Sequence, residues 1–208
     1  MNLLAVNYHY IADTYKPNNA IFPVTTAFLR SQILELKKYF QFLSQTELRE
    51  IIRSGKNPDG NFCVLTFDDG LKCHYDLALP LLEELRVPAI FYVCGKPLVE
   101  QELCLVHKIH QLRANLSETE FREKVIYFLE SALGYNSKDI FFHISTKAML
   151  KYRYDTKEAA EVKFLLNMYL KEQEKNTIIN NIFNAVFSAE RQLALWEELY
   201  LSENQVQQ

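Results

Sequence analysis

Glycine is scarce in this 208-residue chain, which has five glycines where average usage would give about fifteen. They are too far apart to form either G-x-G-x-x-G or G-x-x-x-x-G-K-[ST]. Such loops cradle the phosphates of dinucleotides and nucleoside triphosphates. The scarcity therefore excludes a Rossmann dinucleotide fingerprint and a P-loop.

The sequence also lacks a charge excess and a long apolar run. Lys and Arg number 23 and Asp and Glu 26, giving a net charge of −3, which argues against a nucleic-acid partner. No run reaches the roughly 18 apolar residues of a transmembrane helix, and no signal peptide precedes the first strand. The four cysteines form no C-x-x-C motif. We therefore expect a cytoplasmic protein with reduced thiols.

Strands and helices alternate over the first hundred residues. The apolar run at 3–8 predicts a first strand, and those at 62–67 and 89–94 predict buried strands. Apolar residues at helical spacing predict a helix between 26 and 40. The strand, helix and strand between 62 and 94 are typical of a right-handed βαβ unit in a parallel sheet. We expect an α/β domain over residues 1–99.

Residues 100–208 are predominantly helical in pattern. Ser117 and Glu120 form a capping box, and Asp155 with Glu158 marks another helix start. The only further strand that the pattern allows covers Ile140–Ile144. We expect a helical insertion or C-terminal helical bundle packed on the first domain.

The segment Val64–Gly70, VLTFDDG, carries the sharpest chemical signal. Asp68 and Asp69 follow a buried parallel strand, at the end where α/β proteins build their sites. Adjacent side chains of a strand point to opposite faces, so both carboxylates can serve one site only if the chain turns at once, which Gly70 permits. One carboxylate could then hold a divalent metal while the other handles a proton. The alternative is that either aspartate merely caps the next helix.

VLTFDDG resembles the first motif of the polysaccharide deacetylase family, the NodB-homology carbohydrate esterases of family 4. Three further segments are similar to the family, and the resemblance covers residues 3–98: Tyr8-His9-Tyr10, Phe22–Gln32 and Ala78–Val93.

The resemblance implies a fold, a reaction and roles for residues. The fold would be part of a NodB-type distorted (β/α) barrel with a large helical insertion. The reaction would be metal-dependent removal of acetyl groups from an N-acetylated oligo- or polysaccharide. Asp68 matches the catalytic base and Asp69 a ligand of the divalent ion, zinc or cobalt, which would activate water. His9 could line the same site and bind substrate.

The sequence departs from the family at its second motif. No H-[ST]-x-x-H string occurs, and the nearest pair of candidate metal ligands is His107 and His110, at helical i, i+3 spacing. We expect the chain to stop short of that motif. The alternative function is therefore a catalytically incomplete, truncated or split family member with a structural or assembly role, acting as a homodimer or with a complementing chain.

Three other side chains have more ordinary interpretations. His74 is expected on the surface rather than in the site, and His143 is expected to pack among apolar neighbours. Trp196 is expected to pack its helix rather than to form a platform for a sugar ring.

Overall fold

The computed structural model describes residues 1–14, 20–55 and 57–207, which form the predicted mixture of α and β structure. The chain divides into two compact units. The first unit comprises Met1–Glu102 together with Leu193–Gln208, and the second comprises Leu103–Gln192. The assignment of 1–99 and 100–208 as separate domains remains a prediction.

A parallel sheet organises the first unit. Its strands are β1 (Asn2–Tyr8), β4 (Gln41–Phe42), β5 (Asn61–Phe67) and β6 (Ile90–Phe91), and two further short strands, β2 (Ile11–Ala12) and β3 (Val24–Thr25), pair separately. β1 pairs with β5 along its whole length, whereas β4 pairs near the start of β5 and β6 near its end. Because β1 occupies one edge of β5, β4 and β6 share the other. The carboxyl ends of β1, β5 and β6 therefore lie together.

The apolar sequence of β5 is explained by burial on both faces. Cys63, Leu65 and Phe67 belong to one core cluster with residues of the first helix, and Phe62 and Val64 belong to another. Alternate residues of β5 thus face opposite layers, as strand geometry requires. The strand predicted over 89–94 is shorter than expected, because only Ile90–Phe91 pair with β5.

The helices supply the rest of both units. They are α1 (Thr26–Leu36), α2 (Gln45–Ser54), α3 (Leu79–Leu85), α4 (Gly95–Glu100), α5 (Leu105–Asn115), α6 (Glu118–Ser131), α7 (Ser137–Lys151), α8 (Lys157–Phe164), α9 (Glu172–Val186), α10 (Ala189–Leu199) and α11 (Glu203–Val206). π-helical turns at His74–Ala78 and Leu165–Tyr169 precede α3 and follow α8. None of the helices in the described ranges has the length and hydropathy needed to cross a bilayer.

Two expectations for the second unit are wrong. Ile140–Ile144 lies inside α7, where Ile140, Ile144 and Ala148 repeat at helical spacing and are buried. The helix expected from Asp155 is present as α8, but its cap is Thr156, whose side chain accepts from the Ala159 amide, and not Asp155. Asp155 instead accepts a 2.6 Å hydrogen bond from Lys163 Nζ.

Candidate active site

A sharp turn at the end of β5 presents the two aspartates. Asp69 has φ 78° and Gly70 has φ 63°, so two successive residues adopt left-handed backbone conformations. Asp69 is strained there, because non-glycine residues rarely adopt positive φ. This immediate reversal is the turn that the sequence predicts, and it begins one residue earlier than Gly70.

Gly70 is required at its position for two reasons. Its positive φ disfavours any residue with a Cβ atom, and an added Cβ would lie 2.8 Å from Val93 Cγ1 and 3.2 Å from Val93 Cα. Only glycine therefore lets the turn approach the segment that follows β6.

Asn7 fixes the orientation of Asp68, a role that the sequence analysis missed. In the sheet Asn7 lies opposite Thr66. The Thr66 hydroxyl donates to Asn7 Oδ1 over 2.9 Å, and Asn7 Nδ2 donates to Asp68 Oδ2 over 2.9 Å. The Asp68 amide also donates to the Tyr8 carbonyl over 3.0 Å. Asp68 is thus held by β1. A polar residue late in an apolar strand was the available signal.

His9 lies beside Asp69. Its Nδ1 atom is 3.7 Å from Asp69 Oδ2, and the side chains of His9 and Asp69 are 52% and 27% exposed. The structure therefore brings His9, Asp68 and Asp69 to the same edge of the sheet. This is an imidazole and two carboxylates that solvent can reach.

His74 is buried beneath this edge, so the expectation of a surface position is wrong. Its ring contacts Phe67 edge-on at a centroid distance of 5.3 Å, and only 1% of the residue is exposed. Nε2 lies 2.6 Å from the His9 carbonyl oxygen. Because a carbonyl can only accept, Nε2 carries the proton. Burial lowers the pKa of His74, outweighing the His9 hydrogen bond and the charge of Asp69. His74 is therefore neutral, and it holds the backbone carbonyl of His9 through its Nε2 proton.

Tyr10 and Cys73 are kept in their protonated forms near the turn. Burial raises the pKa of Tyr10, and the negative charge of Asp69 raises it further. Burial likewise raises the pKa of the Cys73 thiol, whose sulfur accepts from the Ile11 amide at 3.4 Å. The thiolate is the metal-binding form of cysteine, so this shift disfavours Cys73 as a ligand.

The weaker candidate ligands, His107 and His110, lie on α5 in the second unit. His107 is buried, and its ring centroid is 6.0 Å from that of His110. His110 lines a cavity of about 340 Å³ together with residues of the same unit. Their role in binding a metal remains a prediction.

The site supplies only part of the ligand set that a catalytic metal ion needs. Zinc sites in enzymes have three protein ligands and one open position. Asp69 and His9 provide ligand types that zinc and cobalt accept. Within residues 1–14, 20–55 and 57–207, however, no group of three or more His, Cys, Asp or Glu side chains is arranged to hold a metal ion.

The first unit is an α/β fold with two carboxylates at the carboxyl edge of its parallel sheet, and comparison with known proteins shows what part of the chain resembles. Residues 55–119 match the family model described as polysaccharide deacetylase. The resemblance recognised in the sequence is confirmed over this part of the chain, which is similar to the polysaccharide deacetylase (NodB-homology) family.

Individual relatives match only part of the chain. The poly-β-1,6-N-acetyl-D-glucosamine N-deacetylase of Escherichia coli K12 is 31% identical over 93 residues, which cover 44% of this chain and 14% of the relative. A de-N-acetylase from Aggregatibacter actinomycetemcomitans superposes with a TM-score of 0.43 at 24% identity, covering 49% of this chain and 42% of the other. A Streptococcus pyogenes deacetylase in complex with acetate gives a TM-score of 0.43 at 19% identity, covering 65% and 71%.

Proposed function

We propose that this chain is a polysaccharide N-deacetylase that acts on N-acetylated oligo- or polysaccharide, with Asp68 and Asp69 as the aspartates of its active site. The observation that carries the proposal is the convergence of Asp68, Asp69 and His9 at the carboxyl edge of the sheet. The family match and the N-acetylglucosamine polymer named for the Escherichia coli relative support this substrate class.

In this proposal Asp68 is the general base. Asn7 Nδ2 donates a hydrogen bond to Oδ2 of Asp68. The other oxygen, Oδ1, can therefore accept a proton from the attacking water. The fixed carboxylate holds that proton acceptor in one position, which lowers the entropic cost of the attack.

The proposal also includes a divalent ion, zinc or cobalt, at Asp69, with His9 beside it. When bound, the ion would polarise the acetamide carbonyl and lower the pKa of water. With two candidate ligands in place of three, we expect weak metal binding by this chain alone.

The proposal also covers the type of fold and the cellular location. We infer that the sheet of the first unit is part of a NodB-type barrel and that the second unit is a helical insertion. A cytoplasmic location belongs to the same proposal, because the four cysteines are free thiols and thiols persist in reducing compartments.

The test measures acetate release from β-1,6-linked N-acetylglucosamine oligomers with added Zn²⁺ or Co²⁺. Asp68→Asn is expected to lower the rate about 10²–10⁴-fold, which is the usual contribution of a general base. Asp69→Ala is expected to abolish both activity and metal binding measured by calorimetry. The matched control is Asp76→Asn, an exposed aspartate in the next π-helical turn. Loss of activity in the control, or full activity in Asp68→Asn, would contradict the proposal.

A second candidate function is a catalytically incomplete family member that assembles with another chain. The two-ligand set at Asp69 favours it, and so does the edge position of β1, where Leu3 is 44% exposed. This function predicts a homodimer in light scattering, or activity only when a complementing chain is added. A stable monomer that is active alone would exclude it.

A further inference from the structure

A hollow lies next to the turn that carries Asp68 and Asp69, and no role has been assigned to it. It has a volume of about 430 Å³ and is lined by Lys72, Trp196, Glu197, Tyr200, Ser202 and Gln205, all in the first unit. Small-molecule sites range from about 300 to 1,000 Å³. The hollow is therefore large enough for a sugar ring.

The C-terminal residues of the first unit are tied directly to the active-site turn. The Leu201 amide donates to the Gly70 carbonyl over 3.0 Å, and Leu71 pairs with Tyr200 as an antiparallel bridge. Lys72, on the wall of the hollow, is two residues beyond Gly70. A polymer with one unit at Asp68 would thus have the hollow beside it.

Trp196 is held in place at one wall of the hollow. Its Nε1 atom donates to the Pro97 carbonyl over 2.7 Å, which satisfies its polar atom and fixes the indole. The apolar ring remains as the lining surface. Such a surface fits the C–H face of a pyranose ring.

The polar groups around the indole favour a neutral, hydroxyl-rich ligand. Lys72 donates and Glu197 accepts, whereas Ser202 Oγ and Gln205 Oε1 bond each other as the capping box of α11, which leaves Gln205 Nε2 as a further donor. The charges of Lys72 and Glu197 offset each other, so the hollow lacks the positive excess that a phosphate-bearing ligand requires. Sugar hydroxyls both donate and accept, which matches this mixture.

We propose that this hollow is a carbohydrate subsite that binds an N-acetylhexosamine unit flanking the one at Asp68. This inference rests on the proposed function, because it takes the same polymer as ligand. Trp196 stacks on the sugar ring, and Glu197 and Lys72 bind its hydroxyl or acetamide groups.

The chain contains a single tryptophan, so its fluorescence reports on this hollow directly. A β-1,6-linked N-acetylglucosamine pentamer is expected to change Trp196 fluorescence saturably, whereas maltopentaose serves as the control sugar. The Asp68→Asn variant should bind the pentamer as the natural chain does.

Variants separate the subsite from the catalytic turn. Glu197→Gln should raise the Kd of the pentamer at least about threefold, and Trp196→Ala, measured by calorimetry, at least about tenfold. Glu198→Gln is the matched control, an exposed neighbour that does not line the hollow, and should leave Kd unchanged. Circular dichroism confirms folding of each variant.

The outcomes distinguish the two proposals. Equal Kd values for the natural chain, Trp196→Ala and Glu197→Gln, or no binding of the pentamer, would overturn the subsite even if acetate release is found. Binding with the expected variant pattern but without acetate release would support the subsite as a sugar-binding site and count against the deacetylase activity.

Discussion

Gly70 is the residue whose identity the turn constrains most strongly. A left-handed conformation costs an alanine about 1–2 kcal/mol, and overlap with Val93 adds about 1–3 kcal/mol. We therefore expect Gly70→Ala to lower the free energy of unfolding by roughly 2–5 kcal/mol, measured by urea denaturation.

Gly55→Ala is the matched control for this prediction. Gly55 has φ +62°, but an added Cβ would meet nothing within 4 Å. Only the conformational cost of about 1–2 kcal/mol should appear. Equal losses in the two variants would show that contact with Val93 does not constrain Gly70.

His74 should make stability depend on pH. Its pKa is lowered by burial in the folded state and is about 6.5 in the unfolded chain. As pH falls through 6.5, the unfolded chain takes up a proton that the folded chain resists, so stability is full above that pH and is lost below it. His74→Gln removes this dependence.

The measurement is the free energy of unfolding at pH 7.5 and pH 5.5. The decrease on acidification should be larger for the natural chain than for His74→Gln. His143→Gln alters an exposed histidine and should behave as the natural chain does. His143 was expected to be packed, and its exposure corrects that prediction. An identical decrease in all three proteins would argue against a neutral buried His74.

The sequence could reveal Asp68 and Asp69 but not Asn7 or His74. The aspartates follow a recognisable buried strand, so their position at the sheet edge comes from local pattern. The role of Asn7 depends on its pairing opposite Thr66, and that of His74 on three aromatic and backbone neighbours distant in sequence. Register and tertiary burial are not local properties.

Among the elements, the capping box of α6 was predicted, whereas the cap of α8 was placed one residue too early. The box of Ser117 with Glu120 is present because it depends only on two residues three apart. The strand predicted over Ile140–Ile144 is a helix in the structure, because a short apolar run fits either a strand or a buried helix face. The Asn136 cap decides in favour of α7.

The cap of α6 gives a prediction for an element. Ser117→Ala removes the side chain that accepts from the Glu120 amide, and should cost about 0.5–2 kcal/mol in urea denaturation followed by circular dichroism. Ser131→Ala is the control in the same helix, since that hydroxyl only donates to the Tyr127 carbonyl. Its effect should stay within about 0.5 kcal/mol. A greater loss in Ser131→Ala than in Ser117→Ala would refute the role of the cap.

At the scale of the whole molecule, the first unit is assembled from two separate parts of the chain. Its mixture of strands and helices follows from the apolar pattern of residues 1–99. The inclusion of Leu193–Gln208 does not, since it comes from tertiary contacts, among them the backbone hydrogen bond to Gly70, the bridge to Leu71 and the Trp196 contact with Pro97. Sequence patterning indicates that α10 is a helix, but it does not indicate which residues α10 packs against.

This assembly predicts that the C-terminal residues protect the active-site turn. A chain ending at Gln192 loses the Leu201 donor to Gly70 and the Tyr200 bridge, so backbone amides in residues 68–78 should exchange with solvent at least about tenfold faster. Hydrogen exchange with mass spectrometry measures this. A chain ending at Ser202 lacks only α11 and keeps both contacts, so its exchange in 68–78 should match the natural chain. Unchanged exchange in the shorter chain would mean that the turn after β5 holds its shape without the C-terminal residues.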